Sequence, residues 1–269
     1  FSWSLSLSIA FPAYVYAFIY VGIFEYASPI STFLRDFNIS LPSIKNLLGA
    51  SIIMSMALFP YIYLLVKVQL SSMGINLFKA SKTLGKNNIE TIFKVIIPSL
   101  WPAIVGGMSL VIFETVADFG GVSTLRIETF TVGIYNAWFG YQSYYSAAKL
   151  AGYLFVFVVA VILISKYYDN KQINLASRTS EIFEKTNLNT VKAYLATTIC
   201  TLIFLVVFVA PLIQLFIWSL SKNGLFSTEN IYLFFNSLVL GISASLVTVF
   251  FAISLALTYR SSKSIKNII

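Results

Sequence analysis

The chain has 269 residues, of which 58% are hydrophobic and only 10% are charged, whereas about 25% of the residues in a typical soluble domain are charged. Because the apolar residues fall in long uncharged runs, the composition excludes a soluble globular protein and indicates an all-α, polytopic membrane protein. The chain has no histidine, which excludes His-based catalysis, and its single cysteine cannot form a disulfide within one chain. We assign no metal ligand.

Six segments are each long enough to cross a hydrocarbon core of about 30 Å as a helix that rises about 1.5 Å per residue. Pro12 is expected to kink the first of them, and lysines flank the fourth, where they can reach the membrane surface. The predicted spans are residues 1–24, 46–66, 95–113, 147–166, 193–221 and 230–259.

Lysine and arginine are unevenly distributed among the loops between these spans. Residues 67–94, residues 166–192 and the C-terminal tail share one side of the membrane and carry 13 of the 18 basic residues. The positive-inside rule therefore predicts that this side is cytoplasmic. Residues 114–145 are then expected on the outer side or as a re-entrant segment. The same distribution accounts for the net charge of +8 without a nucleic-acid partner.

Residues 79–98 form a basic, amphipathic segment that predicts a short helical hairpin lying against the membrane. Gly85 stands where a glycine commonly follows a helix, and Asn87 or Asn88 can cap a second helix. Pro98 is expected to end that second helix before the third span begins. The apolar positions of the first helix recur on one face: Met73, Leu77, Ala80 and Leu84.

Glu114 and Asp118 are the acidic residues that follow the third predicted span. They are four residues apart and therefore share a face if this segment is helical. Carboxylates at membrane depth usually face a bundle interior or an aqueous path, so one interpretation is a substrate or ion pathway. The other is that the helix simply ends there and both carboxylates are solvated, since Gly120 and Gly121 favour a break.

The hairpin resembles the coupling loop of ABC importer permeases, which reads Glu-Ala-Ala, three residues, Gly, nine residues and then Ile-x-Leu-Pro. This sequence has Lys79 in place of the Glu and Ser81 in place of the second Ala, and it keeps the Gly and the terminal Pro at the same spacing. In that family the loop docks into a groove on a cytoplasmic ATPase. The resemblance implies that the coupling contacts come from Lys79, Ala80, Ser81, Leu84, Gly85 and Pro98.

Two further runs, ETVADFG at 114–120 and TFTVGIYNAWFG at 129–140, are similar to those of ferric-iron permeases of the type I, MetI-like architecture. The resemblance implies a multi-pass permease of a bacterial inner membrane that works with an ATPase dimer and a periplasmic substrate-binding protein. ATP and Mg²⁺ would be bound by the ATPase, because no GxxxxGK[ST] motif occurs here. Permeases for thiamine, phosphonate or polyamine share parts of this pattern.

Members of this family are often fused duplications, and the resemblance implies a matching division of the chain. Residues 1–166 would be the C-terminal part of a first permease half, with its coupling loop at 70–98. Residues 167–191 would form a cytoplasmic linker, and residues 192–269 the N-terminal part of a second half. We expect that both ends of this sequence are truncated.

Two other classes of protein remain open from the sequence. An ion-coupled secondary transporter or a channel could use Glu114 and Asp118 as an ion relay, and its transport would need no ATPase. An intramembrane enzyme such as a lipid transferase would need further converging acidic or histidine residues. The sequence offers only this acidic pair for such a role.

Overall fold

A computed structural model describes residues 3–72, 76–170, 190–220 and 228–261, and every regular element in these ranges is helical, as the sequence predicted. Short segments of other helix types are a 3₁₀-helix at Ser4–Ala10 and π-helices at Ile92–Ile96, Asn136–Gly140 and Leu205–Val209. The α-helices are α1 (Ala13–Phe24), α2 (Pro29–Asp36), α3 (Leu47–Ser72), α4 (Asn76–Thr83), α5 (Asn88–Thr91), α6 (Ile97–Ala117), α7 (Gly120–Thr124), α8 (Phe130–Tyr135), α9 (Tyr144–Asn170), α10 (Thr190–Phe204), α11 (Ala210–Leu220) and α12 (Thr228–Ser261).

Six stretches of the described residues are long and apolar enough to cross a membrane, which confirms the predicted number of spans. The first stretch differs from the predicted span 1–24, because the helical conformation is interrupted at Phe11, whose backbone is extended. Helix α1 begins only after Pro12. The six stretches are Ala13–Asp36, Leu47–Ser72, Asn88–Ala117, Tyr144–Tyr167, Thr190–Leu220 and Thr228–Thr258.

The centre of the fold is α3, which packs against both α1 and α6. Helix α6 approaches α3 closely at Gly107, where an added Cβ would lie only 2.8 Å from the Cα of Ile62. Small residues at such contacts let helix backbones approach closely in membrane bundles. The buried core consists of Tyr16, Ala17, Ala50, Ile53, Ala57, Leu58, Leu125 and Val207.

Pro98 does not end the helix before the third span, and the prediction that it would was wrong. The preceding segment Ile92–Ile96 is π-helical, and the N–H of Ile97 bonds the carbonyl of Ile92 five residues back. The next donor in this register would be the proline nitrogen, which carries no hydrogen. The hydrogen bonds of the helix change from a spacing of four residues to one of five before the chain reaches the proline. The helix therefore continues without interruption from 88 to 117.

A second π-helix, Leu205–Val209, also stands immediately before an X-Pro pair, Ala210-Pro211. The carbonyl of Val206 has no partner in that register, because Pro211 cannot donate a hydrogen bond. It accepts one instead from the hydroxyl of Tyr20 in α1, at 2.6 Å. This bond ties the fifth span to the first.

Contacts divide the chain into two compact units, residues 1–214 and residues 215–269. The second unit holds the end of α11 and the long helix α12, whose described side chains from 228 to 258 are all exposed. The predicted linker at 167–191 begins inside α9, which extends to residue 170, and residues 171–189 lie outside the described ranges. The division into two permease halves therefore stays a prediction.

Candidate functional site

The hairpin, by which we mean residues 76–98, turns at Gly85. This glycine has φ of +76°, a left-handed conformation that carries a steric penalty for any residue with a Cβ. Its N–H bonds the carbonyl of Lys82 at 3.0 Å, and the N–H of Lys86 bonds the carbonyl of Ser81 at 3.1 Å. This pair of bonds is a Schellman motif, so the predicted role of Gly85 as a helix-terminating residue is confirmed.

The second arm of the hairpin begins at Asn87. Its side-chain oxygen accepts a hydrogen bond of 2.8 Å from the N–H of Glu90, which makes Asn87 the helix cap. One turn further on, the ammonium group of Lys94 lies 2.7 Å from the carboxylate of Glu90. Asn88, the other residue considered for the cap, is the first residue of α5.

The two arms are joined by a buried pair of hydroxyls. The Oγ of Ser81 and the Oγ1 of Thr91 are 2.9 Å apart, and both residues are almost completely buried. The hydroxyl of Thr91 can also donate to the carbonyl of Asn87 at 2.9 Å, and either hydroxyl of the pair can be the donor in the bond between them. Sequence reasoning singled out Ser81 only as a departure from the family pattern and missed Thr91 altogether.

Large apolar side chains of the hairpin remain uncovered. Leu84 is 78% exposed, Ile89 68% and Phe93 65%, and Ala80 and Pro98 are exposed as well. Large apolar side chains that remain exposed are typical of a binding surface for another protein or for a membrane. The side chain of Lys79 lies outside the described residues, so a contact made by this residue stays a prediction.

Glu114 and Asp118 line one cavity, which we call the acidic cavity. Its volume is about 410 Å³, and it lies between α1, α3 and the C-terminal end of α6. Glu114 is exposed and Asp118 is half-buried. The remaining lining residues are Ile9, Phe11, Pro12, Ala13, Tyr14, Ala57, Leu58, Tyr61, Ala117 and Phe119.

Only Glu114 belongs to α6, since this helix ends at residue 117 and Asp118 follows it with an extended backbone. The carboxylate of Asp118 accepts a hydrogen bond of 3.0 Å from the N–H of Val122, and its carbonyl accepts one of 2.9 Å from the hydroxyl of Thr131. Asp118 therefore anchors the connection to α7 and α8 while it lines the cavity. The predicted break in the helix is confirmed. It is short, because the next helix, α7, already begins at Gly120.

An aromatic cluster follows the acidic cavity along the chain. Ring centroids are 4.7 Å apart for Phe119 and Tyr135, 4.9 Å for Tyr135 and Phe139, and 5.1 Å for Trp138 and Tyr144. Each of these rings is more than one-third exposed, and exposed aromatic side chains are enriched at membrane–water interfaces. In the described part of the chain, no group of three or more Cys, Asp or Glu residues is placed to hold a metal ion.

Comparison with known proteins identifies the family. The family described as the binding-protein-dependent transport system inner membrane component matches residues 1–181. The chain belongs to this family. The resemblance to binding-protein-dependent permeases that the hairpin sequence indicated is thereby confirmed, as is the prediction of a multi-pass membrane component of a transport system.

Individual members of the family differ in the substrates that their names give. The Fe(3+)-transport system permease protein FbpB 2 of Haemophilus influenzae is 28% identical over 272 residues, which cover 97% of this chain and 50% of that protein. The sulfate transport system permease protein CysT of Salmonella typhimurium is 26% identical over 118 residues, 44% of this chain and 42% of CysT. CysT of Escherichia coli matches with the same identity and coverage.

The chain thus spans about half the length of FbpB 2 and matches a smaller share of CysT. No solved structure was found that matches it.

Proposed function

We propose that this chain is part of the permease of an ATP-driven ABC importer, in which the hairpin docks on a separate cytoplasmic ATPase subunit. The observation that carries the proposal is the hairpin itself, with its Gly85 turn, its buried Ser81–Thr91 bond and its uncovered Leu84 and Phe93, in a member of a transport family. A groove on the ATPase would cover the exposed apolar side chains. Unlike a flexible loop, a hairpin held by internal bonds can transmit a displacement.

The continuous helix from 88 to 117 supports a mechanism for the coupling. Its first turns form the second arm of the hairpin, and its last turn carries Glu114 at the edge of the acidic cavity. At about 1.5 Å per residue, this helix connects points roughly 45 Å apart. A displacement imposed on the hairpin by ATP-driven closure of the ATPase would move the cavity wall, because no loop intervenes to absorb it.

The charge of the acidic cavity supports a cationic substrate. Glu114 and Asp118 would repel an anion such as sulfate or phosphonate and attract a cation. Ferric iron is the substrate we favour, since the match to FbpB 2 covers almost the whole chain whereas the match to CysT covers less than half. The cations thiamine and polyamine are alternatives, and the permease need not bind its substrate tightly.

The distribution of basic residues supports an orientation with the hairpin in the cytoplasm of a bacterial cell. The acidic cavity at the other end of the continuous helix would then face the outer side, where a periplasmic binding protein delivers the substrate. ATP and Mg²⁺ would be bound by the ATPase dimer.

Co-purification with the ATPase tests this proposal. The full-length protein is co-expressed with candidate ATPase subunits as wild type and as Leu84→Asp, with Thr83→Asp as the matched control that adds the same charge one residue away. We expect Leu84→Asp to lose the ATPase and Thr83→Asp to retain it. Equal recovery of the ATPase with wild type and Leu84→Asp would refute the docking role.

Uptake assays test the substrate and the class of transporter. Cells with the intact system are expected to accumulate radiolabelled ferric iron but not sulfate, and uptake is expected to stop when the ATPase subunit is deleted. Uptake that persists without the ATPase and collapses with the ion gradient would indicate a secondary transporter instead.

A further inference from the structure

A second cavity, separate from the acidic cavity, lies where α1 ends and α2 begins. It has a volume of about 280 Å³ and is closed on one side by residues 40–45, the segment that leads into α3. We call it the α1–α2 pocket. The polar side chains used below all line it: Glu25, Ser31, Arg35 and Lys45.

Two hydrogen-bond donors in this pocket are buried without an acceptor. The Nη2 of Arg35 donates to the hydroxyl of Thr32 at 3.1 Å, and its guanidinium lies over the ring of Tyr26 at 3.7 Å. The Nη1 of Arg35 and the Oγ of Ser31 are shielded from solvent, however, and neither has a partner among the described residues. Ser31 is only 5% exposed. Because buried donors are rarely left unsatisfied, this arrangement points to a missing acceptor.

The charges that line the pocket define the kind of acceptor. Lys45 lies 3.0 Å from the carboxylate of Glu25, so these two charges form an ion pair and the charge of Arg35 remains. The lining residues together carry a formal charge of +1. A ligand with two negative charges would be repelled by the nearby carboxylate of Glu25. The pocket therefore favours a ligand with a single negative charge. Guanidinium and hydroxyl groups are typical ligands of phosphate oxygens, and a phosphodiester carries one negative charge.

The outer face of α2 indicates where such a phosphate would come from. Ile30 and Phe33 of α2, with Phe37 directly after its last residue, are spaced three and four residues apart, and they are 44%, 61% and 62% exposed. A short helix with large apolar side chains on one face and an arginine on the other is typical of helices that lie in the membrane interface. The phosphates of lipid head groups are found at this depth.

We propose that the α1–α2 pocket binds the phosphate of a phospholipid, with Arg35 and Ser31 as donors to its oxygens and the apolar face of α2 in contact with its acyl chains. A lipid phosphate and free inorganic phosphate share the chemistry that this pocket recognises. The two sources differ in that only the lipid can also contact Ile30, Phe33 and Phe37.

Native mass spectrometry of the purified full-length protein tests the proposal with three probes: phosphatidylglycerol, diacylglycerol (which lacks the phosphate) and inorganic phosphate. The variants are Arg35→Gln and Ser31→Ala. Arg126→Gln is the matched control, since Arg126 is exposed and does not line this pocket. We expect the wild type and Arg126→Gln to retain phosphatidylglycerol but not diacylglycerol. Arg35→Gln should bind phosphatidylglycerol about tenfold more weakly, because a charge-assisted hydrogen bond is lost, and Ser31→Ala about threefold more weakly.

Each other outcome of this experiment has a defined meaning. Arg35-dependent retention of inorganic phosphate without retention of the lipid would support the phosphate site and identify a free anion as its ligand. Equal binding of phosphatidylglycerol by the wild type, Arg35→Gln and Ser31→Ala would overturn the proposal, as would equal retention of diacylglycerol. If size-exclusion chromatography shows that Arg35→Gln does not fold, the comparison of Ser31→Ala with the wild type decides in its place.

Discussion

The Oγ of Ser81 and the Oγ1 of Thr91 lie 2.9 Å apart in the interior of the hairpin and connect its two arms. The coupling-loop pattern that the hairpin resembles has alanine at the position of Ser81, and an alanine there could not form this bond. Both hydroxyls are shielded from water, and the bond therefore contributes more than one at the surface would. It fixes the arm that continues into α6 against the arm that carries Leu84.

We expect Ser81→Ala and Thr91→Val each to destabilise the hairpin by about 1 kcal/mol, because each removes one side of this bond. The double variant should cost less than the sum of the two single effects, since the bond between the hydroxyls is lost in either single variant. Hydrogen exchange at the hairpin amides measures the change, with Thr83→Val as a control at an exposed hydroxyl. Fully additive effects of the two substitutions would mean that the hydroxyls do not interact.

Gly85→Ala should loosen the turn by about 1 kcal/mol, because alanine is strained at a φ of +76°. The space around Gly85 is open, so the penalty comes from the backbone alone. Gly152→Ala is the control, since Gly152 also has open space around it but lies within α9, where alanine is the better helix former. Hydrogen exchange should be faster at the Lys86 amide in Gly85→Ala only. Unchanged exchange there would contradict the role given to the turn.

Sequence reasoning was most accurate where the structure depends on neighbouring residues. The turn at Gly85 and the cap at Asn87 follow from backbone geometry and from a side chain that reaches three residues along the chain. The six spans follow from hydrophobic length, which the bilayer thickness dictates. These features required no knowledge of tertiary packing.

The features that sequence reasoning missed depend on contacts that are distant along the chain or on helix register. Thr91 matters because the arms fold together and bring it to Ser81 ten residues away. Pro98 does not end its helix because a π-helical segment changes the register first, and that segment has no clear signature in the residues themselves. The anchoring role of Asp118 depends on Thr131, which lies thirteen residues further along the chain.

The two roles of Asp118 can be separated by substitution. Asparagine keeps an oxygen that can accept the hydrogen bond from the Val122 amide but removes the charge, whereas alanine removes both. If the charge serves transport, Asp118→Asn should fold like the wild type and lose uptake, and Asp118→Ala should in addition be less stable by about 1 kcal/mol. Uptake and thermal unfolding measure the two effects. Wild-type uptake by Asp118→Asn would remove this residue from the translocation path.

Tyr20→Phe should weaken the connection between the first and fifth spans by about 1 kcal/mol, because the carbonyl of Val206 loses its donor and Pro211 cannot replace it. Thermal unfolding in detergent measures the loss. Tyr153→Phe is the control, since it removes the same hydroxyl from an exposed side chain in α9. Equal unfolding temperatures for Tyr20→Phe and the wild type would show that this bond contributes nothing to stability.

Site-directed cross-linking tests the docking of the hairpin on an ATPase most directly. Cys200 is the only cysteine among these 269 residues, so Cys200→Ser, together with replacement of any cysteine elsewhere in the full-length protein, provides a background in which Leu84→Cys, Phe93→Cys or Tyr141→Cys is the single thiol. All three positions are at least 65% exposed, but Tyr141 belongs to the region predicted on the outer side. We predict that a thiol-reactive cross-linker joins Leu84→Cys and Phe93→Cys to the ATPase subunit and leaves Tyr141→Cys unlinked. No cross-link from either hairpin position, or a cross-link from Tyr141→Cys alone, would contradict the account.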